Sequence, residues 1–179
     1  MNLARFPRRR YTEYKTPIEH LPHLSQLLGG PEIYIKRDDL LGLTAGGNKT
    51  RKLEFFMAEA LKSGADTVIT CGAVQSNHCR LTLSAALKEG LKCRLVLEER
   101  VPGSYDPKAN GNNFLFHLLG VEAVKVVPGG SDMIAEMQKV ADELAEQGRK
   151  ASIIPGGGSN EIGALGYVAW AQEILEQSF

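Results

Sequence analysis

The hydrophobic and polar positions follow a rhythm that predicts short strands, each followed by a helix. Four runs rich in β-branched residues each close at glycine or a polar turn, and they cover residues 66–71, 92–97, 122–127 and 150–154. Between these runs the apolar positions recur every three or four residues, which is the spacing of one helix face. The stripe from Met133 to Leu144 is the clearest, and Ser131 is its expected N-cap. The other helical patterns lie at residues 53–60, 81–88, 114–119 and 162–177.

This alternation predicts an α/β fold with an open parallel sheet and flanking helices. Ligands of such sheets gather where the strands end. The polar turns GAVQSNH, PGGSD and PGGGSN follow three of the four runs and are therefore expected to meet at one edge. Residues 1–48 do not share the rhythm and contain one candidate strand at residues 32–36, so they are expected to belong to another layer.

Composition narrows the range of functions without naming one. The 179 residues carry 21 Lys and Arg against 21 Asp and Glu, so no basic excess favours a nucleic-acid partner. Three cysteines without CxxC spacing predict neither a zinc site nor a disulfide framework, but reduced thiols. No signal peptide and no membrane-length apolar run are recognisable. These features favour a cytoplasmic protein that acts on small molecules or proteins and has no membrane partner.

The stretch LTAGGNKTRKLEFF, residues 43–56, raises three interpretations of Lys49. A nucleotide P-loop places lysine directly after its last glycine, but Asn48 follows Gly47, so the lysine comes one position late. A Schiff-base lysine needs nearby glycine and a lowered pKa, which a helix N-terminus and neighbouring cations provide. Spacing alone favours the third interpretation, a solvated helix face formed with Arg51 and Lys52.

The QSNH turn is also ambiguous when it is considered alone. Ser76 and Asn77 are compatible with a hydroxyl turn and a helix N-cap. His78 beside Ser76 invites comparison with hydrolases, yet no acidic partner or G-x-S-x-G motif accompanies the pair. Asp38 and Asp39 are more compatible with loop salt bridges than with a metal site. The glycines at residues 156–158 either line a ligand or let two elements approach closely.

Three stretches together resemble one enzyme family. They are KRDDLLGLTAGGNKTRKLEF at residues 36–55, CGAVQSNHCR at residues 71–80 and IPGGGSNEIGALGYV at residues 154–168. The chain resembles the pyridoxal-phosphate-dependent D-cysteine desulfhydrase and 1-aminocyclopropane-1-carboxylate deaminase family, which also includes L-cysteate sulfo-lyase. The likeness extends over residues 3–176. It implies a tryptophan-synthase-β-like fold, pyridoxal 5'-phosphate as cofactor, and a homodimer.

The resemblance also implies roles for individual residues. Lys49 corresponds to the lysine that binds the cofactor covalently and takes the substrate's α-proton. Asn77 corresponds to the residue that hydrogen-bonds the cofactor's 3-oxygen, and Lys52 to a lysine near its phosphate. Ser76 corresponds to a hydroxyl above the cofactor ring. Substrate binding is assigned to the turn that holds Gln75, Ser76, Asn77 and His78.

The family pattern further implies a reaction and an arrangement of domains. QSNHCR and GGGSNEIGALGY are more similar to the desulfhydrase and sulfo-lyase side, so the expected reaction is α,β-elimination from a small sulfur-containing amino acid. Residues 1–48 are assigned to a larger domain, residues 49–160 to a small α/β domain, and residues 161–179 to a returning helix. The chain corresponds to about the first half of such an enzyme, so a C-terminal segment is expected to complete it. The alternative is a non-catalytic α/β fragment or interaction module.

Overall fold

The structure is a computed structural model that describes residues 2–108 and 110–178. Its strands are β1 (Ile18–His20), β2 (Tyr34–Lys36), β3 (Thr67–Ala73), β4 (Lys92–Glu99), β5 (Ala123–Pro128) and β6 (Ala151–Ile154). Its α-helices are α1 (Pro22–Leu28), α2 (Lys49–Lys62), α3 (Asn77–Lys88), α4 (Gly111–Leu118), α5 (Met133–Glu146) and α6 (Glu161–Ser178). No helix within these residues is both long enough and apolar enough to cross a bilayer.

The four predicted strands form one parallel sheet in the order β5-β4-β3-β6. Strand β3 lies inside the sheet, with Thr67 opposite Lys92 of β4 on one side and Ala151 of β6 on the other. Because all four strands run the same way, their carboxyl ends lie along one edge. The predicted parallel sheet is therefore confirmed, and the turns after β3 and β6 are neighbours at that edge.

Alternating side chains of the strands feed two hydrophobic clusters. Val68, Leu95 and Leu97 belong to the cluster that includes residues of α2, α3 and α4. Ile69 and Val96 belong to the cluster that includes Met137, Val140 and Leu144 of α5. This period of two is the pattern expected for strands with both faces covered. The predicted stripe of α5 is confirmed except at Ile134, whose side chain is exposed.

Several predicted boundaries differ from those in the structure. Asp132, not Ser131, caps α5, because its carboxylate accepts hydrogen bonds from the backbone of Ile134 and Ala135. The helix predicted at residues 114–119 begins earlier, at Gly111. Strand β2 is shorter than its predicted range and pairs antiparallel with β1. Neither β1 nor α1 was predicted, because three-residue strands and a seven-residue helix leave little periodic signal.

Helix α6 packs against α2 because glycines on α6 let the backbones approach. A Cβ atom on Gly166 would lie 2.5 Å from the carbonyl oxygen of Arg51, so only glycine fits there. A Cβ atom on Gly163 would lie 2.0 Å from the carbonyl oxygen of Gly158. The helix predicted at residues 162–177 is thus confirmed, and it closes over the start of α2 and the glycine turn after β6.

Candidate active site

Three segments meet at the carboxyl edge of the sheet. They are the first turn of α2, the QSNH turn between β3 and α3, and the glycine turn between β6 and α6. The glycine turn lies beside Lys49, since a Cβ atom on Gly157 would lie 3.8 Å from Cε of that lysine. The positive charges of Lys49 and Lys52 both lower the pKa of His78, which shows that the QSNH turn lies near the two lysines. The fold thus brings the predicted site residues together at one place.

Lys49 is the first residue of α2, and as a residue it is half-buried. Nζ donates a hydrogen bond to Oδ1 of the preceding Asn48 at 3.0 Å. Burial lowers the pKa of Lys49, and the positive charge of Lys52 lowers it further. A lowered pKa increases the fraction of neutral amine, which is the nucleophilic form.

The loop that presents Lys49 is held in a conformation that requires glycine. Gly46 and Gly47 both have positive φ values, 62° and 133°. A Cβ atom on Gly46 would lie 2.0 Å from the carbonyl oxygen of Asp39, so no larger residue fits. A short 3-10 helix, Asp38–Leu40, separates this loop from β2. A nucleotide P-loop follows directly after a strand, and this loop does not.

Lys52 faces the glycine turn. Its Nζ donates to the carbonyl oxygen of Gly157 at 3.1 Å and lies 3.5 Å from Oγ of Ser159. The same ammonium lies 5.8 Å from the ring centroid of Tyr167 on α6. Gly157 and Gly158 have positive φ values of 67° and 60°, so their backbone follows a path closed to most side chains. A lysine, a serine hydroxyl and a glycine turn are the groups that commonly surround a phosphate.

Arg51 does not belong to a solvated face, and that interpretation is wrong for this residue. Its side chain is 1% exposed and forms ion pairs with Asp38 and Glu173, each at 2.8 Å. Lys36 also pairs with Glu173, at 2.5 Å. The predicted loop salt bridges are confirmed, because Asp39 likewise pairs with Arg37. Arg51 ties α2 to the preceding loop and to α6, while Lys49 and Lys52 remain at the site.

Ser76 is the N-cap of α3. Its hydroxyl oxygen accepts a hydrogen bond from the backbone N–H of Cys79 at 3.2 Å. A Cβ atom on Gly72 would lie 2.4 Å from that oxygen, so Gly72 makes room for the turn. The N-cap predicted at Asn77 is therefore wrong: Ser76 has the capping role, and Asn77 is the first residue of α3. The positive end of the helix then points toward the site and favours an anionic group there.

Asn77 is exposed and its side-chain amide is held from two sides. Its Oδ1 accepts hydrogen bonds from Arg80 Nη1 and from Asn112 Nδ2, both at 2.9 Å. Gln75 is also tied to the start of α4, since its Oε1 accepts from the backbone N–H of Asn112 at 2.7 Å. The QSNH turn is therefore braced against α4.

His78 lies beneath the site and is 6% exposed. Its Nε2 is 2.8 Å from Oγ1 of Thr70 on β3, and no carboxylate takes part in that contact. Burial first, and then the charges of Lys49 and Lys52, lower the pKa of His78 to about 4. The imidazole is therefore neutral at neutral pH, in a supporting position, and the contact with Thr70 gives no support to a hydrolase triad.

Sequence reasoning did not select Arg80, Asn112 or Tyr167 as part of this site. Arg80 lies inside the CGAVQSNHCR stretch, three residues after Asn77 on the same helix face, and this spacing was a usable signal. Asn112 is separated from the turn by the rest of α3, by β4 and by a loop, so no local pattern indicates its contact. The predicted roles of Lys49, Lys52, Gln75, Ser76, Asn77 and His78 remain predictions.

Comparison with known proteins places this geometry in a family. A family model described as pyridoxal-phosphate dependent enzyme matches residues 10–178. D-cysteine desulfhydrase of Klebsiella pneumoniae is 47% identical over 177 residues, which are 98% of this chain and 53% of that protein. The chain thus spans about half the length of this curated relative.

Solved structures give the same fold. The structure described as an ACC deaminase homologue superposes with a TM-score of 0.89 and 43% identity, over 98% of this chain and 52% of that one. A pyridoxal 5'-phosphate-dependent aspartate racemase matches with a TM-score of 0.69 at 22% identity, over 92% of this chain and 46% of its own. An L-serine ammonia-lyase from Rhizomucor miehei matches with a TM-score of 0.64 at 17% identity, over 92% of this chain and 47% of its own. These two distant structures support the fold alone.

The predicted fold is confirmed by these superpositions, and the cofactor of the family is pyridoxal phosphate. The family model covers nearly the whole sequence, from the loop before β1 to the end of α6. The chain therefore belongs to the family of pyridoxal-phosphate dependent enzymes.

Proposed function

We propose that this chain forms the Lys49 side of the active site in a lyase that eliminates sulfide from D-cysteine to leave aminoacrylate, which water hydrolyses to pyruvate and ammonia. The observation that carries the proposal is the Lys49 amine. Lys49 is half-buried, the pKa of its amine is lowered, and its side chain lies beside a glycine turn in a chain that is 47% identical to a D-cysteine desulfhydrase. L-cysteate sulfo-lyase and 1-aminocyclopropane-1-carboxylate deaminase activities are the alternatives within the same chemistry.

The residues present fit pyridoxal phosphate. The cofactor needs an amine for its aldehyde, a donor for its 3-oxygen and a cationic, glycine-rich cradle for its phosphate. Lys49 offers the amine, and the exposed amide of Asn77 offers the donor. Lys52 and the turn that contains Gly157 and Ser159 offer the cradle. When bound, the cofactor supplies an electron sink for the pair of electrons left by the departing α-proton.

The proposed roles follow from the position of each group. The lowered pKa lets the Lys49 amine bond covalently to the cofactor and, once released, accept the α-proton at Nζ. The Ser76 hydroxyl caps α3, so the first N–H groups of that helix are oriented to bind a substrate carboxylate. Gln75 and Asn77 complete the substrate turn, and the neutral His78 ring supports it from below. We also propose a homodimer and the three-part domain division at residues 48/49 and 160/161.

A cytoplasmic location is proposed because Cys71, Cys79 and Cys93 are all buried free thiols. Reduced cysteines are typical of a reducing compartment. Cell fractionation with an antibody against the chain tests this proposal. Recovery outside the cytoplasmic fraction contradicts it.

The function is tested by borohydride reduction followed by mass spectrometry. The chain incubated with pyridoxal phosphate should gain one covalent cofactor at Lys49, and Lys49→Ala should gain none there. Lys62→Ala, at the last residue of the same helix, is the matched control and should label like the parent chain. A stable adduct elsewhere in Lys49→Ala, with unchanged labelling, contradicts the assignment of Lys49.

Product analysis then separates the substrate alternatives. Pyruvate and sulfide from D-cysteine support the desulfhydrase proposal, whereas sulfite from L-cysteate supports the sulfo-lyase. Ammonia released from 1-aminocyclopropane-1-carboxylate, which contains no sulfur, supports the deaminase. Turnover that persists in Lys49→Ala contradicts all three.

The second candidate function is a non-catalytic α/β module, and it is favoured by the fact that the chain spans only about half of its relatives' length. This candidate predicts a folded chain without the visible absorbance of lysine-bound cofactor. Cofactor absorbance together with pyruvate release from D-cysteine by this chain alone excludes it.

A further inference from the structure

We propose that Arg80 is a positioning residue that fixes the side-chain amide of Asn77 as a hydrogen-bond donor toward the cofactor, with Asn112 as a second support. This inference rests on the proposed function, because it takes the 3-oxygen of bound pyridoxal phosphate as the hydrogen-bond acceptor for Asn77 Nδ2. It concerns residues to which neither the family resemblance nor the sequence patterns gave a role.

The orientation of Asn77 follows from the donors around it. A guanidinium group can only donate hydrogen bonds, so the atom that faces Arg80 Nη1 at 2.9 Å must be the carbonyl oxygen Oδ1. Asn112 Nδ2 donates to the same oxygen at 2.9 Å. Both acceptor positions of Oδ1 are thus used, and Nδ2 is the end of Asn77 that remains for a ligand.

Asn112 is itself fixed by the same reasoning. Its Oδ1 accepts from Arg80 Nη1 at 2.9 Å, so its amide orientation is also determined by the guanidinium. Its Nδ2 then donates to Asn77 Oδ1 and to the backbone oxygen of Gln75. The three side chains form a closed ring, and rotation of the Asn77 amide would break two of its bonds.

The charge of Arg80 indicates what the amide is oriented for. All of its acceptors are neutral: Asn77 Oδ1, Asn112 Oδ1 and, at 3.4 Å, the carbonyl oxygen of Gly46. No carboxylate pairs with it within residues 2–108 and 110–178, and burial lowers its pKa. A cation that bonds one end of an amide makes the other end a stronger donor, since hydrogen bonds in a chain polarise each other. The hydrogen bond from Asn77 Nδ2 is therefore strengthened most when its acceptor is an anionic oxygen, such as the 3-oxygen of pyridoxal phosphate.

Gly46 connects this ring to the lysine loop. Arg80 Nη2 reaches the Gly46 oxygen, three residues before Lys49, while Nη1 reaches Asn77. One guanidinium thus spans the loop that carries the reactive amine and the turn that carries the 3-oxygen donor. Their separation is therefore set by a rigid planar group, which a lysine cannot replace in geometry although it replaces the charge.

The test uses the full chain loaded with pyridoxal phosphate and follows the pH midpoint of the visible band of the lysine-bound cofactor. Arg80→Gln removes the charge, so an anion on the 3-oxygen is less favoured and the midpoint should rise by about one unit. Arg80→Lys keeps the charge but loses the planar donors to Asn77, Asn112 and Gly46, so its midpoint should also rise, by less than that of Arg80→Gln. Lys88→Gln removes a charge from the exposed end of the same helix and should leave the midpoint unchanged.

If Arg80 only stabilises the fold and does not orient Asn77, the variants should behave differently. In that case Arg80→Gln and Arg80→Lys lower the melting temperature but leave the midpoint of the band in place, and that outcome overturns the proposal. Should Arg80→Gln fail to fold, Asn112→Ala removes the second donor to Asn77. Its midpoint should move in the same direction by a smaller amount, and an unmoved midpoint overturns the proposal as well.

A cofactor-free measurement separates this inference from the proposed function. If the parent chain shows no visible band with pyridoxal phosphate, the proposed function fails for this chain. The ¹⁵N relaxation of the Asn77 side-chain amide then decides the role of Arg80. A rigid amide in the parent chain that becomes mobile in Arg80→Gln and not in Lys88→Gln supports positioning, whereas equal mobility in all three overturns it.

Discussion

At the scale of single residues, Arg51 is a buried cation two positions after Lys49 that stabilises the fold. It is buried between Asp38 and Glu173, and removal of one member of a buried pair leaves uncompensated charge. We expect Arg51→Met to lower the free energy of unfolding by about 3–5 kcal/mol. Urea denaturation followed by circular dichroism measures this loss.

Arg37 is the matched control for that prediction. It also pairs with two carboxylates, those of Glu19 and Asp39, but its side chain is 28% exposed. Ion pairs near solvent contribute little to stability because water screens them, so Arg37→Met should lower the free energy of unfolding far less. Equal losses for the two variants contradict the importance assigned here to burial of Arg51.

His78 gives the fold a stability that depends on pH. Its pKa falls from 6.5 to about 4 on folding, so the unfolded chain binds the proton more readily than the folded one. Stability from this residue is therefore complete above the unfolded pKa and is lost as the pH falls from 6.5 toward 4. Between pH 6.5 and 4.5 the expected loss is about 2 kcal/mol.

That window isolates His78 from the strongly shifted carboxylates. Hydrogen bonds to arginine and lysine hold the pKa values of Glu122 and Glu173 at about 2, compared with an ordinary value of 4.5. These two carboxylates therefore affect stability only at a pH below the ordinary value. Urea midpoints of His78→Gln should therefore change less with pH than those of the parent chain. His23→Gln, the same change on the exposed surface of α1, should retain the parent slope, and a parent-like slope in His78→Gln contradicts the prediction.

At the scale of elements, the errors of sequence reasoning have local physical causes. Ser131 and Asp132 are adjacent and both are good N-caps, so composition cannot choose between them. The structure places the Asp132 carboxylate 3.1 Å from the N–H groups of Ile134 and Ala135. The Ser131 hydroxyl instead donates to the Pro128 oxygen. The periodic stripe of α5 was predictable, whereas its first residue depended on one backbone turn.

Substitution of each candidate cap measures that distinction. Asp132→Ala should lower the free energy of unfolding by about 1 kcal/mol, because two helix N–H groups lose their acceptor. Ser131→Ala removes one exposed hydrogen bond and should cost less. Thermal melts of both variants provide the comparison, and a larger loss for Ser131→Ala would contradict the cap assignment.

At the scale of the whole molecule, contacts between distant segments are what the sequence could not predict. The strand and helix rhythm was sufficient for the parallel sheet and for the edge that holds the turns after β3 and β6, whereas Lys49 was assigned to that site only by the family resemblance. The rhythm carried no information on Asn112, which contacts Asn77 although the rest of α3, β4 and a loop lie between them in the chain. It also led to Arg51 being interpreted as solvated, because Glu173, its partner, lies 122 positions away. Burial and pairing of polar groups depend on such distant partners, which periodicity does not reveal.

The same distant pairing gives an expectation for how the molecule unfolds. Arg51 of α2 bonds simultaneously to Asp38, before the helix, and to Glu173 of α6, so it joins all three proposed parts of the chain. Trp170, the only tryptophan, lies on α6 and reports that helix, while circular dichroism reports all helices. We expect the two signals to change at the same urea concentration, because α6 cannot separate without exposing the buried Arg51 charge. An earlier Trp170 transition in the parent chain would contradict this coupling, and in Arg51→Met the two transitions should separate if the coupling depends on this guanidinium.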